Sequence, residues 1–159
     1  MKLPNRQSIR MKGFDYSTAA AYFVTICCNG AKHRFGTIVT EGDELRVEYN
    51  KFGLIAVDEI RSIESRFIGV DVEGFIVMPN HIHIMIINAD GGKYQLSEIV
   101  GRLKMGISNR CTKLCRQQGE WMEQLWQKNY FERIIRDNHE FDNTLYYMYE
   151  NPARWQAQH

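Results

Sequence analysis

Residues 70–87, VDVEGFIVMPNHIHIMII, decide the fold. β-branched and aromatic residues dominate both halves and Pro79-Asn80 interrupts them, which predicts two strands joined by a turn. Along residues 81–87 successive side chains alternate between faces, so His81 and His83 share one face while Ile82 and Ile84 share the other. Two imidazoles about 7 Å apart on a strand can converge on one metal ion. The plainer reading is a half-buried antiparallel strand with histidines on its wetter face. Two ligands do not complete a site, and the strand itself supplies no third.

Working outward, residues 20–28 (AAYFVTICC) read as a strand, and FGTIVTEGDELRVEY (35–49) reads as a hairpin about Gly42-Asp43. KFGLIAVDEIRSIESRF (51–67) places Leu54, Val57, Ile60 (or Arg61) and Ile63 at helical spacing. Gly91-Gly92 mark a loop. From Gln95 to Gln118, Leu96, Val100, Leu103, Ile107, Cys111 and Leu114 fall within an arc of about 80°, which predicts an amphipathic helix. Residues 119–137 are less regular. NHEFDNTLYYMYEN (138–151) reads as the last helix, closed by Pro152 because a proline disfavours α geometry in the residue before it. The order β, ββ, α, ββ, α, α, with no repeat or low-complexity tract, predicts one α+β domain over residues 1–159.

The chain has 159 residues, 44% hydrophobic and 25% charged, with a net charge of +1. Global charge therefore does not announce a nucleic-acid partner. No apolar run reaches the roughly 18 residues of a membrane span, and the basic N-terminus lacks the apolar core of a signal peptide, so a cytoplasmic protein is expected. Cys27 and Cys28 are adjacent and point to opposite faces of a strand. Cys111 and Cys115 share a helix face and offer two corners of a zinc site, but nothing nearby supplies the other two, so reduced thiols are expected. Arg102, Arg110, Lys113 and Arg116 share a face of about 120°, with no acidic residue between Glu98 and Glu120. That face is either a solvated helix surface or a ridge that tracks phosphates. Lys2, Arg6, Arg10 and Lys12 form a second basic cluster, an arm of the same kind or a basic tail.

TLYYMYENPARW (144–155) crowds Tyr146, Tyr147 and Tyr149 together. Aromatic stripes on helices usually pack a core. Tyr147 and Asn151, at i and i+4, share a face, whereas Tyr146 and Tyr149 are rotated about 100° and 200° away. The Asn151 amide oxygen can ligate a hard cation, and a phenol beside a metal–phosphate site can act as a covalent nucleophile.

VMPNHIHIMI (77–86), then LWQKNYFERIIRD (125–137), then YMYENPARW (147–155) together resemble the HUH-type single-tyrosine transposases, in particular the REP-associated tyrosine transposase branch of the IS200-like superfamily. SIRMKGFDYS (8–17), YFVTICC and FGTIV extend the similarity over nearly the whole chain. The resemblance implies a ferredoxin-like or RRM-like antiparallel sheet with helices packed on it. It implies cleavage and rejoining of single-stranded, hairpin-forming DNA through a 5′-phosphotyrosine, with Mg²⁺ or Mn²⁺ as cofactor, by a monomer or homodimer. His81 and His83 match the metal-binding histidines and Tyr147 the nucleophile. Asn151 matches the polar third ligand, a glutamine in the insertion-sequence branch. Tyr130 matches a recurrent motif but not the nucleophile's place, and reads as structural or DNA-facing. Competing readings are a catalytically silent DNA-binding module or domesticated repressor, a metal-dependent hydrolase, which would want more carboxylates near the histidines, and a structural zinc site.

Overall fold

The computed structural model describes residues 20–88 and 93–158. In chain order the elements are β1 (Ala20–Cys27), β2 (Gly36–Glu41), β3 (Glu44–Tyr49), α1 (Lys51–Arg61), α2 (Ile63–Arg66), β4 (Val70–Met78), β5 (His81–Asn88), α3 (Leu96–Gln117), β6 (Phe131–Ile135), α4 (Asn138–Tyr149) and α5 (Asn151–Gln158). β4 and β5 form the hairpin expected across Pro79-Asn80, pairing Met78 with His81. The main sheet runs β4-β5-β1-β6 with every neighbouring pair antiparallel. β2 and β3 form a separate two-stranded hairpin. Gly42 turns it with φ +62°, a left-handed conformation that glycine adopts without a Cβ penalty.

Alternation along β5 and β1 gives the sheet two different faces. Val24, Ile26, Ile82, Ile84 and Ile86 point to one side and pack with Ala56 and Ile60 of α1 and with Ile99, Leu103, Ile107 and Cys111 of α3. Ala21, Met85, Ile87 and Ile135 point to the other and meet Phe141 and Leu145 of α4. The parity of His81 and His83 places them on this second face. α4 approaches closely there because Gly74 of β4 has no side chain: a Cβ would come within 2.9 Å of Leu145 Cδ2 and 3.0 Å of Met148 Cε.

Three features differ from the expectation. Leu54 is 59% exposed, and α1 instead buries Gly53, Ala56, Glu59 and Ile60. Its first turn lies so close to the chain before β2 that a Cβ on Gly53 would stand 2.2 Å from the Phe35 carbonyl oxygen, so this face turns inward. Glu59 is accommodated by ion pairs to Arg66 and Arg110, each at 3.2 Å. Second, the irregular segment contains a strand, β6, paired with β1 from Ala21↔Ile135 to Thr25↔Phe131. It is an edge strand with four of its five residues exposed, so it carries no apolar alternation to read. Third, Pro152 does not close the last helix. α4 ends at Tyr149, Glu150 makes a turn, and Pro152 is the second residue of α5, where a missing N–H leaves no intrahelical bond unmade.

The four cysteines are free, with Cys28, Cys111 and Cys115 buried. Among the described residues no helix is long and apolar enough to cross a membrane. The basic cluster Lys2, Arg6, Arg10 and Lys12 and the Gly91-Gly92 loop lie outside the described residues.

Candidate metal and nucleophile site

Register builds the site from four segments. His83 stands opposite Thr25 on β1, His81 stands opposite Cys27, and the two imidazole centroids are 4.6 Å apart. Thr25 Oγ1 lies 2.9 Å from His83 Nδ1, and Asn80 Oδ1 lies 2.7 Å from His81 Nδ1. A carbonyl oxygen only accepts, so His81 donates from Nδ1 and leaves Nε2 bare; the threonine hydroxyl can donate or accept, so it engages Nδ1 of His83 in either tautomer and turns Nε2 away from β1. Fixing one ring nitrogen in this way aims the other as a ligand.

Both rings are held neutral. Burial pushes the His81 pKa down to about 4, and burial with repulsion from His81 pushes His83 down to about 3. Neutral imidazole is the form that binds metal, so desolvation keeps the pair competent at neutral pH.

Tyr147, on the last turn of α4, faces this pair. Its ring centroid is 6.3 Å from that of His83 and 6.5 Å from that of Phe23, which itself stacks on His83 at 4.9 Å. Tyr147 is 40% exposed. The other two tyrosines go elsewhere. Tyr146 donates to the Glu150 carboxylate, which holds that phenol above its ordinary pKa. The Tyr149 hydroxyl lies over Gly74, where a Cβ would come within 3.1 Å of it.

α5 supplies the opposite wall. Arg154 stacks on the Tyr147 ring at 4.6 Å, and Trp155 sits between His33 and His81 at 5.1 and 6.1 Å. Asn151 is one turn before Trp155 on α5, buried, with its Nδ2 unpartnered. The break at Glu150 separates Asn151 from the continuous i, i+4 face it was expected to share with Tyr147. Among the described residues no three His, Cys, Asp or Glu side chains converge. What the donor set offers a small divalent cation is the ring nitrogens of His81 and His83 that face away from Asn80 and Thr25, and the buried, unsatisfied amide of Asn151.

The basic residues of α3 are not at this site, because α3 packs on the opposite face of the sheet. Arg110 is engaged by Asp58 at 2.6 Å and by Glu59. Arg102 pairs with Glu98 at 3.0 Å and lies 5.4 Å over Phe67. Lys113 and Arg116 are exposed, without an ion-pair partner among the described residues. Tyr130 packs at the margin of the core beside the opposite face. Thr25, Phe23 and Trp155 were not legible as site residues, because only strand register and helix placement bring them to the histidines. Arg154 had a weak signal, seven residues after Tyr147.

Residues 55–151 match the family model described as "Transposase IS200 like". An uncharacterized protein of Haemophilus influenzae is 31% identical over 172 residues, covering 96% of this chain and 91% of that one. A second Haemophilus influenzae chain, assigned as a REP-associated tyrosine transposase, is 24% identical over 82 residues, 49% of this chain and 47% of that one. In fold, the chain is similar to a REP-associated tyrosine transposase solved bound to a REP hairpin, with TM-score 0.63 and 16% identity over 97% of this chain and 74% of that one. The four-stranded antiparallel sheet with its helices is the architecture of that structure. This chain therefore belongs to the IS200-like transposase family.

Proposed function

We propose that this chain cleaves and rejoins single-stranded DNA beside a hairpin, with Tyr147 as nucleophile. The observation that carries the reading is the approach of the Tyr147 ring to His83, 6.3 Å between centroids, from a helix far along the chain. The tyrosine oxygen gives up its proton to water and attacks the phosphorus in line, forming a 5′-phosphotyrosine. The P–O bond to the 3′-oxygen breaks, and that oxygen leaves as a free 3′-hydroxyl after taking a proton. The phosphodiester energy is retained, so the reverse attack rejoins strands without a nucleotide cofactor. Arg154, over the tyrosine ring and 3.2 Å from the Glu150 carboxylate, would exchange that partner for the phosphate. Phe23 and Trp155 flank the histidines and keep bulk water from the site.

His81 and His83, with Asn151 as third donor, would hold Mg²⁺ or Mn²⁺. Such an ion supplies Lewis-acid polarisation of the phosphate. Lys113 and Arg116, on the other side of the sheet, are assigned to DNA phosphates distant from the cleaved bond, whereas Arg102 is paired with Glu98 and Arg110 with Asp58 and Glu59.

The test is incubation with labelled single-stranded hairpin DNA from the gene's own flanks, with Mg²⁺ or Mn²⁺, read as a covalent adduct on a denaturing gel. Wild type forms the adduct, and Tyr147→Phe and His81→Ala/His83→Ala both lose it. An adduct that survives Tyr147→Phe reassigns the nucleophile. Tight hairpin binding without any adduct in wild type replaces cleavage by a DNA-binding module on the same fold.

A further inference from the structure

Beside Tyr147 lies a cleft of about 530 Å³, between α4 and the open edge of the sheet. His139, Asn143 and Tyr147 recur at i, i+4 and i+8, so they form one stripe along α4, and all three line this cleft. Phe23 and Arg133 face them from β1 and β6. Asn143 Nδ2 is 3.1 Å from His139 Nε2, so the two side chains hold each other in place at the rim. The Phe23 ring is nearly parallel to that of His83, with 25° between the planes, and continues the cleft floor up to the histidines.

Charge says what this cleft accepts. Arg133 lies 5.6 Å over Phe23, donates to Thr144 Oγ1 at 3.0 Å and is 3.7 Å from Glu140 Oε1, so a carboxylate on the same wall already offsets it. A phosphate gains little from such a balanced pair. A neutral, flat group with a hydrogen-bonding edge suits it better: His83 and Arg133 cover the two faces of Phe23, so the group would lie on the Arg133 guanidinium plane, with a side-chain amide offering donor and acceptor together. Asn143 is four residues from Tyr147, which sets it about 6 Å along the helix. A nucleotide adjoining the attacked phosphate reaches that distance.

We propose that this cleft receives the base next to the phosphate attacked by Tyr147, and that Asn143, positioned by His139, reads its edge. The inference rests on the DNA-cleavage reading and adds a specificity-determining residue to it. Side-chain amides discriminate bases by paired donor and acceptor contacts.

The experiment uses hairpin oligonucleotides with randomised single-stranded flanks and two readouts. Covalent adducts formed by the active chain are sequenced outward from the joined phosphate, and non-covalent binding is enriched with Tyr147→Phe. Wild type shows about a tenfold preference for one base at the position adjoining the joined phosphate. Asn143→Ala reduces that to under about twofold while still forming the adduct, and His139→Ala has an intermediate effect. Asn143 is exposed on the helix, so its substitution leaves the fold intact. An adduct whose base preference is unchanged in Asn143→Ala, or is absent in wild type, overturns this inference alone. Absence of both adduct and enrichment brings down the DNA-cleavage reading, and the inference with it.

Discussion

Thr25 Oγ1 stands 2.9 Å from Nδ1 of His83, across the antiparallel pairing of β1 with β5. The contact joins a strand that shows no functional signal to the histidine motif, and it selects which imidazole nitrogen faces the site. Thr25→Val keeps the shape and removes the hydroxyl, leaving the buried Nδ1 unpartnered. Affinity for Mn²⁺, followed by titration calorimetry, is expected to fall about 10- to 100-fold, with Thr25→Ser retaining most of it. Equal affinity in Thr25→Val and wild type would remove Thr25 from the site.

The two depressed histidines make stability depend on pH. Unfolded, each imidazole titrates near 6.5; folded, they are held at about 4 and about 3. Between those values the unfolded chain binds more protons, so stability is full above pH 6.5 and declines as pH falls toward the folded values. The slope is at most about 1.4 kcal/mol per pH unit for each histidine. Urea midpoints in EDTA between pH 7 and 5, where carboxylates contribute least, read this directly. His83→Leu is expected to lose one proton's share of the slope, and identical slopes in the two chains would rule out a neutral buried His83.

Trp155 lies against both His33 and His81, and burial is what depresses His81. Trp155→Ala admits water to that ring. An NMR titration of the His81 ring protons should place its pKa closer to 6.5 than in wild type. No movement would mean that the sheet alone desolvates it.

Two glycines of α3 behave oppositely. A Cβ on Gly101 meets nothing within 4 Å, so Gly101→Ala gains helix propensity, about 0.5–1 kcal/mol. A Cβ on Gly106 would stand 2.2 Å from Glu59 Oε1 and displace the carboxylate that Arg66 and Arg110 hold. Gly106→Ala should therefore cost about 1–3 kcal/mol despite its better propensity. Denaturant unfolding of the pair checks the signs, and a stabilised Gly106→Ala would contradict the close approach of α1 to α3.

Much of the architecture can be read locally. The β4–β5 hairpin, its Pro79-Asn80 turn, the β2–β3 hairpin and the long α3 helix follow from periodicity and turn chemistry, which act over a few residues. The same holds for the facing of His81 and His83 away from Ile82 and Ile84, since strand alternation is local. Helical phase set Tyr147 apart from its neighbouring tyrosines only through a face shared with Asn151, which the turn at Glu150 interrupts, whereas the resemblance to tyrosine transposases was legible through motifs in order along the chain.

Tertiary structure decided what depends on long-range register and packing. β6 became a strand because β1 offered it an open edge, not because FERII alternates. α1 turned Leu54 outward and Glu59 inward because Arg66 and Arg110 meet that carboxylate there, and helical phase alone cannot see them. Pro152 was compatible with either ending a helix or beginning one, and the turn at Glu150 settled which. Thr25, Phe23 and Trp155 surround the histidines, and Arg154 covers Tyr147, only after four segments are brought together. Alternation and helical phase operate within a segment, whereas these neighbours are chosen by which faces must be buried against each other.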